Sequence, residues 1–400
     1  MAHWKKVFGK LAGNADDHFD ELLRQYRRRS GRVRPIQVVP YRGFGNAQEI
    51  YLRGRVLEDR NIPEASDKDS VWSNLVAMYK RVNSREVCDV QVQLLLGKNT
   101  HIATTDKEGY FEFRLPITEP LSINRAWHRA VVKLIEPFVA DGGGVSADAH
   151  ILIPPPTSQF GVISDIDDTI LVSGVTNPVR MARLAFLNNA RTRMPFPGVA
   201  AFYRALESGP ESTLFNPVFY VSSSPWNFYD LLVDFCEVQG IPKGPLMLRD
   251  MGVDTDKFVV GDSVRHKIIQ IEHVMRMCPD LPFVLIGDSG EQDPEIYSQV
   301  LKDYPTRVKA IYIREVTRQH RQEKRREQIT KLAAEAQRLN VPMLLVEDTV
   351  KAAEHAASLG LIDPDTIPGI RADKRHDEEA PTDLEQLVGE QPEEEKSGGK

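Results

Sequence analysis

The alternation of apolar and polar positions changes character near residue 154. Before it, five stretches read IQVVPYRGFG (36–45), EIYLRGRVLE (49–58), CDVQVQLLLG (88–97), HIATTDKEGYFEFRLP (101–116) and RAVVKLIEPFV (129–139). A period of two, or a short β-branched run bounded by Gly, Pro and Asp, predicts strands. Thr105–Gly109 reads as a turn feeding a strand from Tyr110. Several strands at this spacing predict a small β-sandwich-like accessory domain over 35–153. No catalytic cluster lies in it, so binding or positioning is its expected role. Pro154-Pro155-Pro156, followed by Thr157 and Ser158, predicts a stiff extended linker and a domain boundary.

Beyond that linker, strands alternate with helices. The predicted strands are FGVISDI (160–166), PVFYVSS (217–223), GPLMLRD (244–250), PFVLIGD (282–288) and VKAIYIR (308–314), with helices near 197–208, 225–239, 264–277 and 293–303. This alternation predicts an α/β domain with a doubly wound parallel sheet and a site at the strand C-terminal ends. A long charged helix follows 314, then VPMLLVED (341–348) and a helix over 348–360, so the domain is expected to span 158–370 with a C-terminal helical extension. At the other end, Trp4, Val7, Phe8 and Leu11, then Phe19, Leu22, Leu23 and Tyr26, recur at helical spacing among lysines and arginines. Residues 1–34 are therefore expected to be a basic helical segment. It could lie on an anionic membrane or simply cap the following domain.

Composition sharpens the class. Hydrophobic content of 41% and charged content of 27% describe a soluble globular chain. No apolar run approaches the ~18 residues of a spanning helix. The net charge of −6 looks unfavourable to anionic partners until it is located along the chain. Residues 373–400 hold ten acids and four bases, whereas residues 1–34 hold nine bases and four acids. The charge belongs to the end of the chain, where 371–400 is expected to be an acidic disordered tail. Peripheral contact with an anionic membrane stays open, and no nucleic-acid partner is expected. Cys88, Cys236 and Cys278 are too far apart in sequence for a Cys-x-x-Cys knuckle and form no disulfide framework, which fits a reducing, cytoplasmic setting. MAHWKKVFGK lacks the long apolar core of a secretory signal.

The chemistry-bearing residues sit just past strand ends. Asp165, Asp167 and Asp168 follow FGVIS, and three carboxylates in four positions repel one another unless a cation neutralises them. In an extended segment Asp165 and Asp167 point to the same side. Mg²⁺ suits such an oxygen-only cluster, and a carboxylate beside it can attack a phosphoryl group. Ser222 ends the second apolar strand and heads Ser222-Ser223-Ser224-Pro225, where a hydroxyl and helix-start amides can hold a phosphate. Lys267 follows His266 and could neutralise that phosphate. Asp288, in Gly287-Asp288-Ser289-Gly290-Glu291-Gln292-Asp293, adds a carboxylate at a further strand end, with Asp293 five residues on.

These residues carry a resemblance. Asp165-x-Asp167-x-Thr169, Ser222, Lys267 and Gly287-Asp288-x4-Asp293 resemble the four motifs of the haloacid-dehalogenase superfamily of phosphohydrolases over about 160–315. SDIDDTI, FYVSSSPWN, LRDMG, HK and FVLIGDSGEQDPEIY more narrowly resemble the phosphatidate phosphatases of the actin-patch type. The TDxxGxFxF run at 105–113 resembles accessory sandwiches of the transthyretin-like type. The superfamily resemblance implies a haloacid-dehalogenase-like (Rossmannoid) fold. It also implies Asp165 as nucleophile, and Asp167 as the acid that protonates the leaving alcohol and then activates water. Mg²⁺ would be held by the Asp165 and Asp288 side chains and the Asp167 backbone carbonyl, with Asp293 in support. Ser222 and Lys267 would bind the transferring oxygens, and Thr169 would order the first loop.

Substrate follows from what covers the site. Between Ile170 and Pro197 there is room for a small helical piece only, with Met181, Leu184, Phe186 and Leu187 as packing residues or as contacts to acyl chains. The 44 residues between Ser222 and Lys267 are mostly used by a helix and the 244–250 strand. With so minimal a cap, the expected substrate is large or presented at a surface. The expectation is a Mg²⁺-dependent phosphatidate, or lipid phosphate, phosphatase acting through an aspartyl-phosphate. The alternatives are a phosphatase for a soluble phosphomonoester or phosphoprotein, and a non-catalytic membrane or protein adaptor. The basic run 314–331 is expected to be a solvated helix face, with ion pairs such as Glu323 with Arg326 or Glu327 with Lys331.

Overall fold

A computed structural model describes residues 36–58, 86–122, 125–136, 145–166, 197–250, 260–316 and 319–379. The basic segment 1–34, Asp167, Asp168, Thr169, the small helical piece expected around Met181, Leu184, Phe186 and Leu187, and everything past 379 lie outside the described residues.

The first eight strands are β1 Ile36–Pro40, β2 Gly43–Gly45, β3 Glu49–Glu58, β4 Gln91–Leu96, β5 Asn99–Thr104, β6 Tyr110–Pro116, β7 Trp127–Glu136 and β8 Ser146–Leu152. They form one continuous ladder in the order β1-β3-β2-β8-β7-β4-β5, with β6 on β3. Leu52, Val92, Leu94, Phe111, Phe113, Val132 and Ile151 share one apolar core. The 105–109 turn is held by the Asp106 carboxylate, which accepts the N–H groups of Glu108 and Tyr110 at 2.9 Å each. Only β8 had no strand signal of its own. SADAHIL has a single β-branched residue, and it becomes a strand because β7 pairs it in antiparallel register, Ala149 opposite Ala130.

The second sheet comprises β9 Gly161–Asp165, β10 Val218–Pro225, β11 Leu246–Arg249, β12 Phe283–Asp288, β13 Val308–Arg314 and β14 Met343–Val346. All its pairings are parallel, in the order β11-β10-β9-β12-β13-β14. The helices are α1 Val199–Ser208, α2 Tyr229–Val238, α3 Val260–Met277, α4 Asp293–Asp303, α5 Gln319–Arg338, α6 Thr349–Ser358 and α7 Ile367–Glu379. Successive strand residues feed opposite cores. Val162, Tyr220, Val284 and Tyr312 pack with α1, α2, α6 and α7, whereas Ile163, Phe219, Leu285 and Ile311 pack with α3, α4 and α5. Burial on both faces is why these strands read as unbroken apolar runs rather than alternating ones.

The tail boundary is corrected here. Disorder was expected from 371, but α7 runs through Glu379. Asp377 Oδ2 accepts the Gly198 N–H at 2.7 Å and Asp373 Oδ2 accepts the Ala201 N–H at 3.1 Å. Two acids assigned to a tail therefore cap the start of α1, whose own N-cap glycine offers no side chain.

The two sheets meet around Phe44, whose ring lies 5.6 Å from Phe219 and 5.2 Å from His273. His273 also meets Tyr51 edge-on at 4.7 Å. Burial, with Arg114 and Arg276 nearby, pushes the His273 imidazole down to about 4. In the unfolded chain it takes up its proton near the ordinary value of 6.5. Stability is thus fully present above about pH 6.5 and is lost as pH falls toward about 4. With allowance for the ring's remaining exposure, the loss is on the order of 1–2 kcal/mol. Urea midpoints across that window should fall for the natural chain and fall less steeply for His273→Phe. Parallel pH profiles would discount the imidazole.

Candidate active site

The order of the second sheet reverses between β9 and β12, and crevices form at the C-terminal ends of strands flanking such a reversal. β9 ends at Asp165 and β12 ends at Asp288. Behind Asp165, the Ser164 hydroxyl donates to the Asp165 backbone carbonyl at 2.8 Å. The buried Tyr203 hydroxyl on α1, 2.7 Å from the Ser164 oxygen, is then the donor to it. Burial holds Tyr203 well above the usual phenol range, so it stays a donor.

Past β12, a short loop folds back on itself. The Asp288 Oδ1 accepts the N–H groups of Gly290 at 2.6 Å and Glu291 at 3.0 Å. Asp293, fully buried at the start of α4, accepts the Asp288 N–H at 3.0 Å. That crossing requires glycine at 287, because a Cβ there would stand 2.4 Å from an Asp293 carboxylate oxygen.

Lys267 on α3 is 2% exposed and reaches into this loop. Its Nζ lies 2.8 Å from Asp165 Oδ1, 2.8 Å from Glu291 Oε2 and 3.0 Å from Asp293 Oδ1. Carboxylate oxygens of Asp165, Glu291 and Asp293 all fall within 4.8 Å of one another. Three carboxylates and one ammonium sum to −2, and oxygen-only donors around such a charge fit a hard divalent cation. On the neighbouring strand, Val221 pairs with Asp165, which places Ser222 one step beyond it. Ser222 is fully buried and its Oγ accepts the Ser224 N–H at 2.9 Å. Ser223 Oγ lies 2.7 Å from Ser263 Oγ, tying this turn to the helix that carries Lys267.

Of the residues expected at the site, Asp165, Lys267 and Asp293 are in direct contact. Asp288 organises their loop, and Ser222 stands on the adjacent strand. Sequence reasoning assigned no role to two further residues. Glu291 stood inside the quoted loop, and its only signal was being a further acid there. Arg325, on α5, donates to the carbonyls of Ser289 at 2.9 Å and Glu291 at 2.6 Å, and to Glu295 Oε2 at 2.9 Å. Nothing in a run of like-charged residues distinguishes it. The charged helix is therefore not only a solvated face: Arg325 braces the acidic loop, and Arg326 pairs with Glu315 and Glu347.

Residues 160–315 match the family described as phosphatidate phosphatase APP1, catalytic domain. The chain is 34% identical over 156 residues to phosphatidate phosphatase APP1 of Saccharomyces cerevisiae, covering 39% of this chain and 26% of that protein. It is 30% identical over 158 residues to an uncharacterized protein of Schizosaccharomyces pombe, covering 39% and 25%. The chain thus spans about a quarter of the length of these curated relatives. Among solved structures, the PilB minor pilin of Streptococcus sanguinis reaches a TM-score of 0.26 at 10% identity over 84% of this chain and 92% of that one, too weak a likeness to inform the fold. By the sequence match, residues 160–315 are similar to the catalytic domain of the APP1 phosphatidate phosphatases.

Proposed function

We propose that this protein is a Mg²⁺-dependent phosphatidate phosphatase that works through an aspartyl-phosphate on Asp165. The observation that carries the reading is the Lys267 ammonium shared by Asp165, Glu291 and Asp293 at the strand C-terminal ends, within the segment that matches the family. The strand order and the place of Asp165 on a central strand fit a haloacid-dehalogenase-like domain. In this reading the domain spans 158–370, with a sandwich-like accessory domain before it.

The Asp165 carboxylate attacks phosphorus, the bond from phosphorus to the leaving alcohol oxygen breaks, and Asp167 gives that oxygen a proton. Asp167 then takes a proton from the water that hydrolyses the acyl phosphate, which frees Asp165 and inorganic phosphate. Ser222 and the turn amides orient the phosphoryl oxygens, and Lys267 offsets charge on them. Mg²⁺, held by the Asp165 and Asp288 side chains and the Asp167 carbonyl with Asp293 in support, would supply the positive charge that lets carboxylate and phosphate approach. Thr169 orders the loop after Asp165.

Among the described residues no helix is long and apolar enough to cross a membrane. In this reading the substrate is met at a lipid surface by a cytoplasmic, peripherally bound protein, with the basic segment 1–34 as its contact. The test is phosphate release by the full chain from phosphatidate in mixed micelles, beside soluble phosphomonoesters and a phosphopeptide, with Mg²⁺ and with a chelator. Phosphatidate should be turned over fastest and only with the metal. A soluble ester winning clearly, or turnover persisting in chelator, would overturn the reading.

A further inference from the structure

The accessory sheet reaches the same end of the parallel sheet as the candidate site. Arg53, on β3, donates to both carboxylate oxygens of Asp250, at 2.9 and 2.5 Å. Its guanidinium carbon lies 4.5 Å from the Tyr110 ring centroid and 5.0 Å from that of Trp226. Arg55, two residues on and hence on the same side of the strand, is 6% exposed. It donates to Asn227 Oδ1 at 2.5 Å, to the Glu108 carbonyl at 2.9 Å and to Glu86 Oε1 at 2.8 Å. Tyr41 stacks flat on Trp226, with ring centroids 4.7 Å apart and planes 7° apart.

What these residues hold is informative. Asp250 directly follows β11, and Trp226 and Asn227 lie four and five positions past Ser222. They belong to a single 3-10 turn, Trp226–Phe228, a conformation with little stability of its own. A forked guanidinium on a carboxylate fixes orientation as well as distance, and cation–π contact adds to it. Arg42 offers an internal comparison. It links the β1–β2 turn to α2, but its side chain pairs with Glu237 near the end of that helix, away from the Ser222 turn.

Resting on the phosphatase reading, we propose that Arg53 and Arg55 are positioning residues for the phosphate-binding turn. The accessory sheet braces Ser222–Asn227 and the end of β11 in the shape that receives a phosphoryl group. Segment 160–315 therefore binds phosphate well only with that sheet in place. The sheet is then a working wall of the active site and not a separate binding module.

The test uses the full chain, with inorganic phosphate as the probe by titration calorimetry, and with KM, kcat and thermal midpoint measured alongside. Arg53→Met and Arg55→Met should weaken phosphate binding and raise KM by about tenfold to a hundredfold, the range expected when a binding group is misplaced by about 1 Å. Asp250→Asn removes the pair's charge at a half-exposed partner, so it should weaken phosphate binding with little change in midpoint. Arg42→Met should lower the midpoint and leave phosphate binding unchanged. Phosphate affinity and KM unaltered in both Arg53→Met and Asp250→Asn would overturn the inference alone. A natural chain that binds no phosphate would overturn the phosphatase reading and the inference with it.

Discussion

If Asp165 is the proposed nucleophile, Asp165→Asn should abolish phosphate release while leaving the protein folded. Asparagine has nearly the same shape, but its amide cannot form the acyl phosphate, and losing a nucleophile costs about 10⁴-fold or more in turnover. Folding should survive because of the charge balance around Lys267. Glu291 and Asp293 remain within 2.8 and 3.0 Å of its ammonium, so neutralising one of three carboxylates does not strand the buried cation. The check is steady-state phosphate release together with a denaturant midpoint. A midpoint close to that of the natural chain, with turnover at background, is the expected pair. Turnover within tenfold of the natural chain would remove Asp165 from the nucleophile's role.

Lys267→Met should have a different profile, losing stability as well as activity. The substitution withdraws an ammonium that three carboxylates share, and Asp293 has no exposure through which water could compensate. Removing one partner of a buried ionic cluster typically costs about 3–5 kcal/mol. One outcome should accompany that loss in chemical denaturation. Added Mg²⁺ should restore more stability to Lys267→Met than to the natural chain, because a cation binding only the folded state stabilises it by mass action and now meets a site one charge more negative. A Lys267→Met chain as stable as the natural one, and indifferent to Mg²⁺, would mean that the carboxylates are not held together by this ammonium.

Much of the site was legible because burial writes itself into local sequence. β9 and β12 are covered on both faces, so FGVIS and PFVLIG are unbroken apolar runs, and the first acids after them mark strand ends. The Ser222 turn was visible for the same reason, standing at a strand-to-helix junction, whereas Lys267 lies inside α3 rather than at its start. Glu291 was only half visible: its place in an acidic loop was plain, but its reach to Lys267 depends on the Asp288 and Asp293 hydrogen bonds that fold the loop. Arg325, Arg53 and Arg55 were not visible. Their partners lie 30 to 36, 197 and 31 to 172 positions away, and nothing in a charged neighbourhood tells a braced arginine from a solvated one. The end of the chain was misread for a related reason. Asp373 and Asp377 look like tail acids until α1 presents the unsatisfied amides that they cap.

By itself, then, the sequence determined most of the elements, though not β8 or the extent of α7, together with the change from β to α/β near the proline run and the acids at the strand ends, because each of these is set by neighbours within a few residues. Only the tertiary structure decided which strands adjoin, that one lysine serves three carboxylates, and that a separate sheet braces the turn after Ser222. Those features are charge and hydrogen-bond pairings between remote segments. Such pairings arise only after burial has brought the segments together and removed the water that would otherwise satisfy each group alone.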